Sequence, residues 1–220
     1  MSPIYHQHTD MNFDKIKNII FDFGDVIINI DIPLTTQAFA ELSGVSFDEV
    51  ATIFAENEVF RKVETGLIDE ADFRNYLRSI LGHPEWSDQT IDKAWCTLLL
   101  DIPPARIQLI QQLDKRYRLF LLSNTSAVHI NESTKILQHA TGVPYLGLLF
   151  EKMFLSYQMG IMKPAPQIYE QVLAEANIVA EETVFLDDNF DNIQAAAALG
   201  IKTIHVQKPI CITEYLSNAL

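Results

Sequence analysis

The sequence predicts a doubly wound α/β fold: a Rossmann-like parallel sheet core with an α-helical cap subdomain inserted after the first strand. Three observations carry this reading. Short, near-continuous apolar runs recur and stop at polar residues, as strands buried on both faces require. Amphipathic helical stripes separate the later runs, the alternation expected of βαβ units. And the connection between the first two runs is much too long for one crossover helix.

Taken in order, Asn18 to Phe23 is the first strand-like run, followed by Arg118 to Leu122, Thr183 to Leu186 and Lys202 to Val206. Lys152 to Leu155 is a weaker fifth. Ile168, Tyr169, Val172, Leu173 and Ala176 form one helical stripe, and Ile193, Ala196, Ala197 and Gly200 form another. Between about Pro33 and Pro103 no strand-like run occurs. Ser46 to Glu49 reads instead as a capping box, Asp69 opens a stripe of Phe73, Tyr76, Leu77, Ile80 and Leu81, and Ser87 opens one of Ile91, Trp95, Leu98 and Leu99. The expected division is a leader over 1–14, a core over 15–32 and 104–220, and a helical cap over 33–103. Such a cap would sit over the carboxyl ends of the strands, where open α/β sheets bind ligands.

Composition limits the partners. The 220-residue chain has 48% hydrophobic residues, enough to build a sizeable core without staples. Its 16 basic and 29 acidic residues give a net charge of −13, which argues against a nucleic-acid backbone or an anionic membrane surface as partner. Two cysteines, Cys96 and Cys211, cannot make a disulfide framework and fit a reducing, cytoplasmic setting. Met1 to Asp14 lacks the apolar stretch of a signal peptide and reads as a disordered leader, with Met11 as an alternative start. Runs such as Leu119 to Leu122 fall far short of the roughly 18 residues that cross a bilayer. A monomer or homodimer is expected.

The chemistry-bearing residues stand at the strand ends. The first run closes on Phe21-Asp22-Phe23-Gly24-Asp25, an aspartate at a sheet rim followed by a glycine turn. Asp and Gly also end strands for backbone reasons alone. The second closes on Ser123-Asn124-Thr125, either a hydroxyl and amides at the equivalent rim or a helix N-cap. Lys163 precedes Pro164, either a site cation or a solvated charge. The fourth closes on Asp187-Asp188-Asn189, an acidic pair that a cation or hydrogen-bond donors must compensate. A parallel sheet brings these ends to one edge. Asp22, Asp25, Asp187, Asp188 and Asp191 then gather five carboxylates there, beside Lys163. A nucleophilic carboxylate, a hard cation on oxygen ligands and donors for the phosphoryl oxygens are what phosphoryl transfer through a carboxylate needs.

With these residues, the chain resembles the haloacid dehalogenase superfamily from about Asn18 onward. Asp22-Phe23-Gly24-Asp25-Val26, Leu122-Ser123-Asn124-Thr125, Met162-Lys163-Pro164 and Phe185 to Asn189 with Asp191-Asn192-Ile193 are similar to the alpha-D-glucose-1-phosphate phosphatase branch, as are Glu64 to Ile68 and Phe73 of the cap. The resemblance implies that Asp22 attacks phosphorus and binds Mg²⁺, that Gly24 lends its carbonyl to the metal, and that Ser123, the Asn124 amide and Lys163 hold the phosphoryl oxygens. Asp188 would be the main metal carboxylate, with Asp187 a ligand or its support. Many phosphatases of the superfamily place an acid–base aspartate two residues after the nucleophile. Here Gly24 stands there, and Asp25 is the candidate substitute. Arg61, Glu64 and the Gly66 turn are candidates for sugar recognition, and His129 for the cleft; Trp95 and Cys96 read as cap packing.

The function expected is a Mg²⁺-dependent phosphatase of a small phosphomonoester, a sugar phosphate above all, working through an aspartyl phosphate. Two alternatives remain open at this point. One is a metal-independent haloacid dehalogenase, which also lacks the second aspartate. The other is a regulatory protein that binds a phosphorylated ligand without turning it over.

Overall fold

The computed structural model describes residues 11–220. Among them five strands form one sheet: β1 (Asn18–Phe21), β2 (Arg118–Ser123), β3 (Lys152–Leu155), β4 (Thr183–Asp187) and β5 (Lys202–His205). Their order is β3-β2-β1-β4-β5, and every pairing is parallel. All five lie within the runs the sequence marks, apart from one residue added at the end of β2 and one at the end of β4. Because side chains alternate across a strand, each apolar run serves both faces. Ile19, Phe21, Leu119, Leu121, Val184 and Leu186 enter one core cluster. Ile20, Phe120, Leu122 and Phe185 enter the other, against Ile168, Tyr169 and Val172 of the helix over Pro166–Ala176. That is why the runs are continuous rather than alternating.

Eleven α-helices accompany the sheet among the described residues. α1 (Ile32–Ser43), α2 (Phe47–Glu56), α3 (Val59–Glu64), α4 (Glu70–Leu81) and α5 (Asp88–Trp95) lie between β1 and β2. α6 (Pro104–Leu113) precedes β2, and α7 (Ala127–Thr141), α8 (Ser156–Met159), α9 (Pro166–Ala176), α10 (Phe190–Ala198) and α11 (Ile212–Tyr215) follow. Ser46 closes a full capping box with Glu49, and Asp69 and Ser87 cap α4 and α5 as their sequence positions suggest.

Helices α1–α5 pack around a third apolar cluster that includes Phe39, Phe54, Phe73, Leu77 and Trp95. The chain leaves and re-enters the sheet through two linkers that pair side by side. Asn29 and Asp31 donate their amides to Asp101 and Leu98, both at 2.9 Å, and Leu100 donates to Asn29. Trp95 belongs to more than the cap. Its ring stacks on His129 of α7 at 5.1 Å, and its carbonyl accepts from Thr35 Oγ1 and His129 Nε2.

Residues 11–14, which the sequence assigns to the leader, take up defined structure. Asn12 caps a 3₁₀ turn over Phe13–Lys15, and the Phe13 ring is buried edge-on against Tyr117 at 6.5 Å. Met11 packs on the same core. The expectation of disorder over residues 1–10 lies outside the described residues. No described helix is long and apolar enough to cross a membrane.

Candidate active site

Register decides what meets at the sheet edge. Phe21 pairs with Leu121 on one side and with Leu186 on the other, so Asp22 and Asp187 leave neighbouring strands at the same height. The Asp22 amide donates to the Leu186 carbonyl at 2.8 Å, which extends the ladder one residue and fixes Asp22 at the rim. Lys163 reaches between them. Its Nζ lies 2.6 Å from Asp22 Oδ1 and 2.7 Å from Asp187 Oδ2, with the side chain 1% exposed.

Burial opposes the Lys163 charge, but the Asp22 and Asp187 carboxylates outweigh it and hold the ammonium above its usual range. Burial pushes the Asp22 carboxyl up to about 7 against the pull of Lys163, with the Asp187 charge adding to the rise. Asp187 is otherwise fully engaged. Its Oδ1 accepts from the Asn189 amide and Asn192 Nδ2, and its Oδ2 from Lys163 and the same Asn192 nitrogen. Asp187 thus supports Lys163. Asp188, one residue on, is exposed and makes no ion pair among the described residues. Desolvation, then the charges of Asp187 and Asp25, raise its carboxyl.

These residues suit a hard divalent cation. Asp22, Asp187 and Asp188 each offer a carboxylate oxygen within 4.8 Å of the others, and one ammonium cannot balance three carboxylates. Oxygen donors in that number, with room for water and a phosphate, match what Mg²⁺ takes. Since both Asp187 oxygens are already engaged, Asp22 and Asp188 are the better ligands. The Gly24 carbonyl is the third candidate; it accepts from the Val26 amide at 2.6 Å and keeps a second lone pair.

A cavity of about 240 Å³ opens beside Asp22. Lys163, Asn124, Asp188 and Asn192 form its polar end, while Ile28, Ile30, Leu98 and Phe60 line its apolar side. Glu64 and His129 complete the wall. Ser123 ends β2 just behind, 3% exposed, its hydroxyl 3.4 Å from the Asn124 carbonyl. The Asn124 side chain grips the Lys163 backbone in both directions, at 2.9 Å each way.

Other candidates fall elsewhere. Asp25 takes a left-handed φ of 54°, which aspartate tolerates better than most residues. Its Oδ1 receives the Ile30 amide at 3.1 Å and Lys208 Nζ at 2.7 Å, and it does not line the cavity. At Gly24 an added Cβ would meet Ile30 Cδ1 at 2.8 Å, so Ile30 occupies the space where a side chain there would begin. Arg61 is exposed and spent on Glu58. Asp191 is exposed too, with its amide on Asn189 Oδ1.

Glu64, by contrast, does turn into the cavity, where burial lifts its carboxyl to about 7 despite Lys163. His129 is held neutral, pushed down to about 4 by burial although the Trp95 carbonyl favours its proton. The sequence places Asn192 in the Asp191-Asn192-Ile193 motif but gives it no role. It lies in the first turn of α10, after the Asn189 cap, and donates to both Asp187 oxygens.

Comparison with known proteins identifies the family. A D-ribitol-5-phosphate phosphatase of Bacteroides thetaiotaomicron is 32% identical over 188 residues, covering 86% of this chain and 90% of the relative. A glyceraldehyde 3-phosphate phosphatase of Pyrococcus abyssi is 29% identical, over 86% of this chain and 80% of that one. The structure of a Bacteroides thetaiotaomicron family enzyme, in complex with magnesium and inorganic phosphate, superposes with a TM-score of 0.82 at 34% identity, over 90% of this chain and 98% of the other. The model of the haloacid dehalogenase-like hydrolases matches residues 16–200, a span that takes in Asp22, the helices between β1 and β2, Lys163 and the Asp187-Asp188 pair. This chain is a member of the haloacid dehalogenase-like hydrolases.

Proposed function

We propose that this hydrolase is a Mg²⁺-dependent phosphatase of a small sugar or polyol phosphate, working through an aspartyl phosphate on Asp22. The observation that carries the reading is the Lys163 ammonium held between Asp22 and Asp187 in the wall of a cavity of about 240 Å³. A cation fixed there neutralises phosphoryl oxygens as Asp22 attacks, and two carboxylates and a backbone clamp orient it beforehand. Asp22 Oδ1 is held by Lys163, which leaves Oδ2 as the attacking oxygen. Asp22, Asp188 and the Gly24 carbonyl would hold Mg²⁺, which supplies further charge stabilisation at the transferring phosphoryl group. Ser123 and the backbone at Asn124 are assigned to the phosphoryl oxygens, and the cap side of the cavity to the alcohol.

The substrate class draws support from the relatives, which are named for phosphates of a pentitol and of a triose. The cavity is of a size for such a molecule. Both cysteines are free, in keeping with a reducing, cytoplasmic setting.

The experiment is phosphate release from p-nitrophenyl phosphate and a panel of polyol, aldose and triose phosphates, with Mg²⁺ or with EDTA, for the wild-type chain and Asp22→Asn. Turnover that needs Mg²⁺ and vanishes in Asp22→Asn supports the reading, and turnover unaffected by Asp22→Asn overturns it. Chloride release from 2-chloropropionate in EDTA would instead identify the metal-independent dehalogenase. Ligand-induced stabilisation without any product would identify a binding protein.

A further inference from the structure

An alkyl alcohol leaves a phosphoryl group as an alkoxide unless a proton arrives with it, and general acid help of this kind is worth about 10²–10⁴-fold. Five titratable side chains line the cavity: Asp22, Glu64, His129, Lys163 and Asp188. Four are committed. Asp22 is the nucleophile, and Lys163 is shared between Asp22 and Asp187. Asp188 belongs to the carboxylate cluster suited to the metal. The Trp95 carbonyl can only accept, so His129 Nε2 carries the ring proton and already donates it there, at 3.1 Å. Asp25 lies outside the wall, held by Ile30 and Lys208.

Glu64 remains. It ends α3, and among the described residues it makes no side-chain hydrogen bond and no ion pair. Two residues on, Gly66 has φ 64° and sits so close to the Tyr157 carbonyl of α8 that an added Cβ would lie 2.3 Å from that oxygen. The cap therefore touches the core immediately beside Glu64, which fixes this carboxyl at the cavity wall.

We propose that Glu64 donates the proton to the leaving oxygen, a cap residue supplying the acid for which the β1 end has only Gly24. The proposal rests on the phosphatase reading above. As an Asp22 oxygen bonds to phosphorus, the bond from phosphorus to the leaving oxygen breaks, and that oxygen takes the Glu64 proton and departs as neutral alcohol. Water then adds to the phosphorus of the aspartyl phosphate and the bond to Asp22 breaks, returning its electron pair to the carboxylate. The water's proton passes to the Glu64 carboxylate, which restores the acid. Burial, opposed by Lys163, lifts the Glu64 carboxyl to about 7, so a protonated fraction persists at neutral pH. The ionisable groups facing it are Asp22, Asp188, Lys163 and His129 across the cavity and Tyr157 on α8; Arg61 and Lys62 on its own helix are engaged by Glu58 and the Tyr76 hydroxyl.

The test compares kcat/KM of the wild type and Glu64→Gln on phenyl phosphate and p-nitrophenyl phosphate with Mg²⁺. This constant reports only the steps through departure of the phenol. Loss on phenyl phosphate should exceed loss on p-nitrophenyl phosphate by at least about tenfold, because p-nitrophenolate leaves without a proton. The fall in wild-type kcat/KM above about pH 7 should disappear in Glu64→Gln. Glu64→Asp, which keeps an acid on a shorter arm, should recover part of the phenyl phosphate activity, which a merely misfolded cap would not. Equal losses on the two esters, no loss, or a loss confined to KM overturns the proposal while the phosphatase reading stands. A wild-type chain that releases no phosphate from either ester overturns both.

Discussion

Asn124 holds Lys163 by its main chain, not by its ammonium. Asn124 Nδ2 donates to the Lys163 carbonyl and Oδ1 accepts from the Lys163 amide, each at 2.9 Å. The residue that follows β2 therefore sets the backbone from which Lys163 reaches Asp22 and Asp187. Asn124→Ala should keep the fold and let that backbone drift. Misplacement of a catalytic group by an ångström costs on the order of 10²-fold. The expected result is a fall of that order in kcat with little change in melting temperature. Unchanged kcat would mean that the two carboxylates alone position the ammonium.

Lys163→Met is a test of stability as much as of catalysis. The side chain is 1% exposed and both of its partners are buried, so the substitution strands two carboxylates at the sheet edge. Breaking a buried pair in this way costs about 3–5 kcal/mol. Without the Lys163 charge, the Asp22 carboxyl, which burial already raises, rises further above its value in the unfolded chain. The folded variant then binds more protons than the unfolded one, and its stability falls as pH rises. Denaturant midpoints in EDTA should thus show a deficit against wild type that is small near pH 5 and widest near pH 8. A deficit independent of pH would contradict this.

How much of this was legible in the sequence varies with the kind of contact. The sheet was, because strands buried on both faces demand runs such as Ile19-Ile20-Phe21, and a parallel register carries Asp22, Ser123 and Asp187 to one edge without further information. The division of labour in Asp187-Asp188 came only through the family resemblance. One residue of strand geometry turns Asp187 inward to Lys163 and Asn192 and leaves Asp188 exposed, and adjacent identical letters do not reveal which is which. The Asp25 side chain is diverted by Lys208, 183 positions along the chain, and nothing local signals that pairing. Glu64 and His129 were candidates from the sequence and both line the cavity, but how they meet there depends on the docking of cap on core through the Trp95–His129 stack and the Gly66–Tyr157 contact. Such packing has no period to read.

The Gly66 contact makes a prediction about that docking. A side chain at φ 64° is strained for most residues, and here its Cβ would also enter the Tyr157 carbonyl. Gly66→Ala should cost about 1–3 kcal/mol and lift the end of α3 from α8. Turnover should fall with it, and more steeply on phenyl phosphate than on p-nitrophenyl phosphate, because the displaced element carries Glu64. A stability loss with normal turnover on both esters would separate the turn from the site.

The environment of Glu64 can be measured without any substrate. Its carboxyl is raised from 4.5 to about 7 by burial. Below about pH 4.5 the group is protonated in both the folded and the unfolded chain and does not distinguish them. As pH climbs from there to about 7, the unfolded chain releases its proton first. The folded state then holds the excess proton, and linkage makes stability fall with rising pH. Above that window both states are ionised and the full cost of burying the charge is present, about 3 kcal/mol at 1.36 kcal/mol per pKa unit. Glu64→Gln removes the titration and keeps the shape. In EDTA, the stability of the wild type relative to the variant should decline through this interval and then level off. A difference that stays flat from pH 4 to 8 would place the Glu64 carboxyl in water, where it would have neither the raised pKa nor the fixed position that proton donation needs.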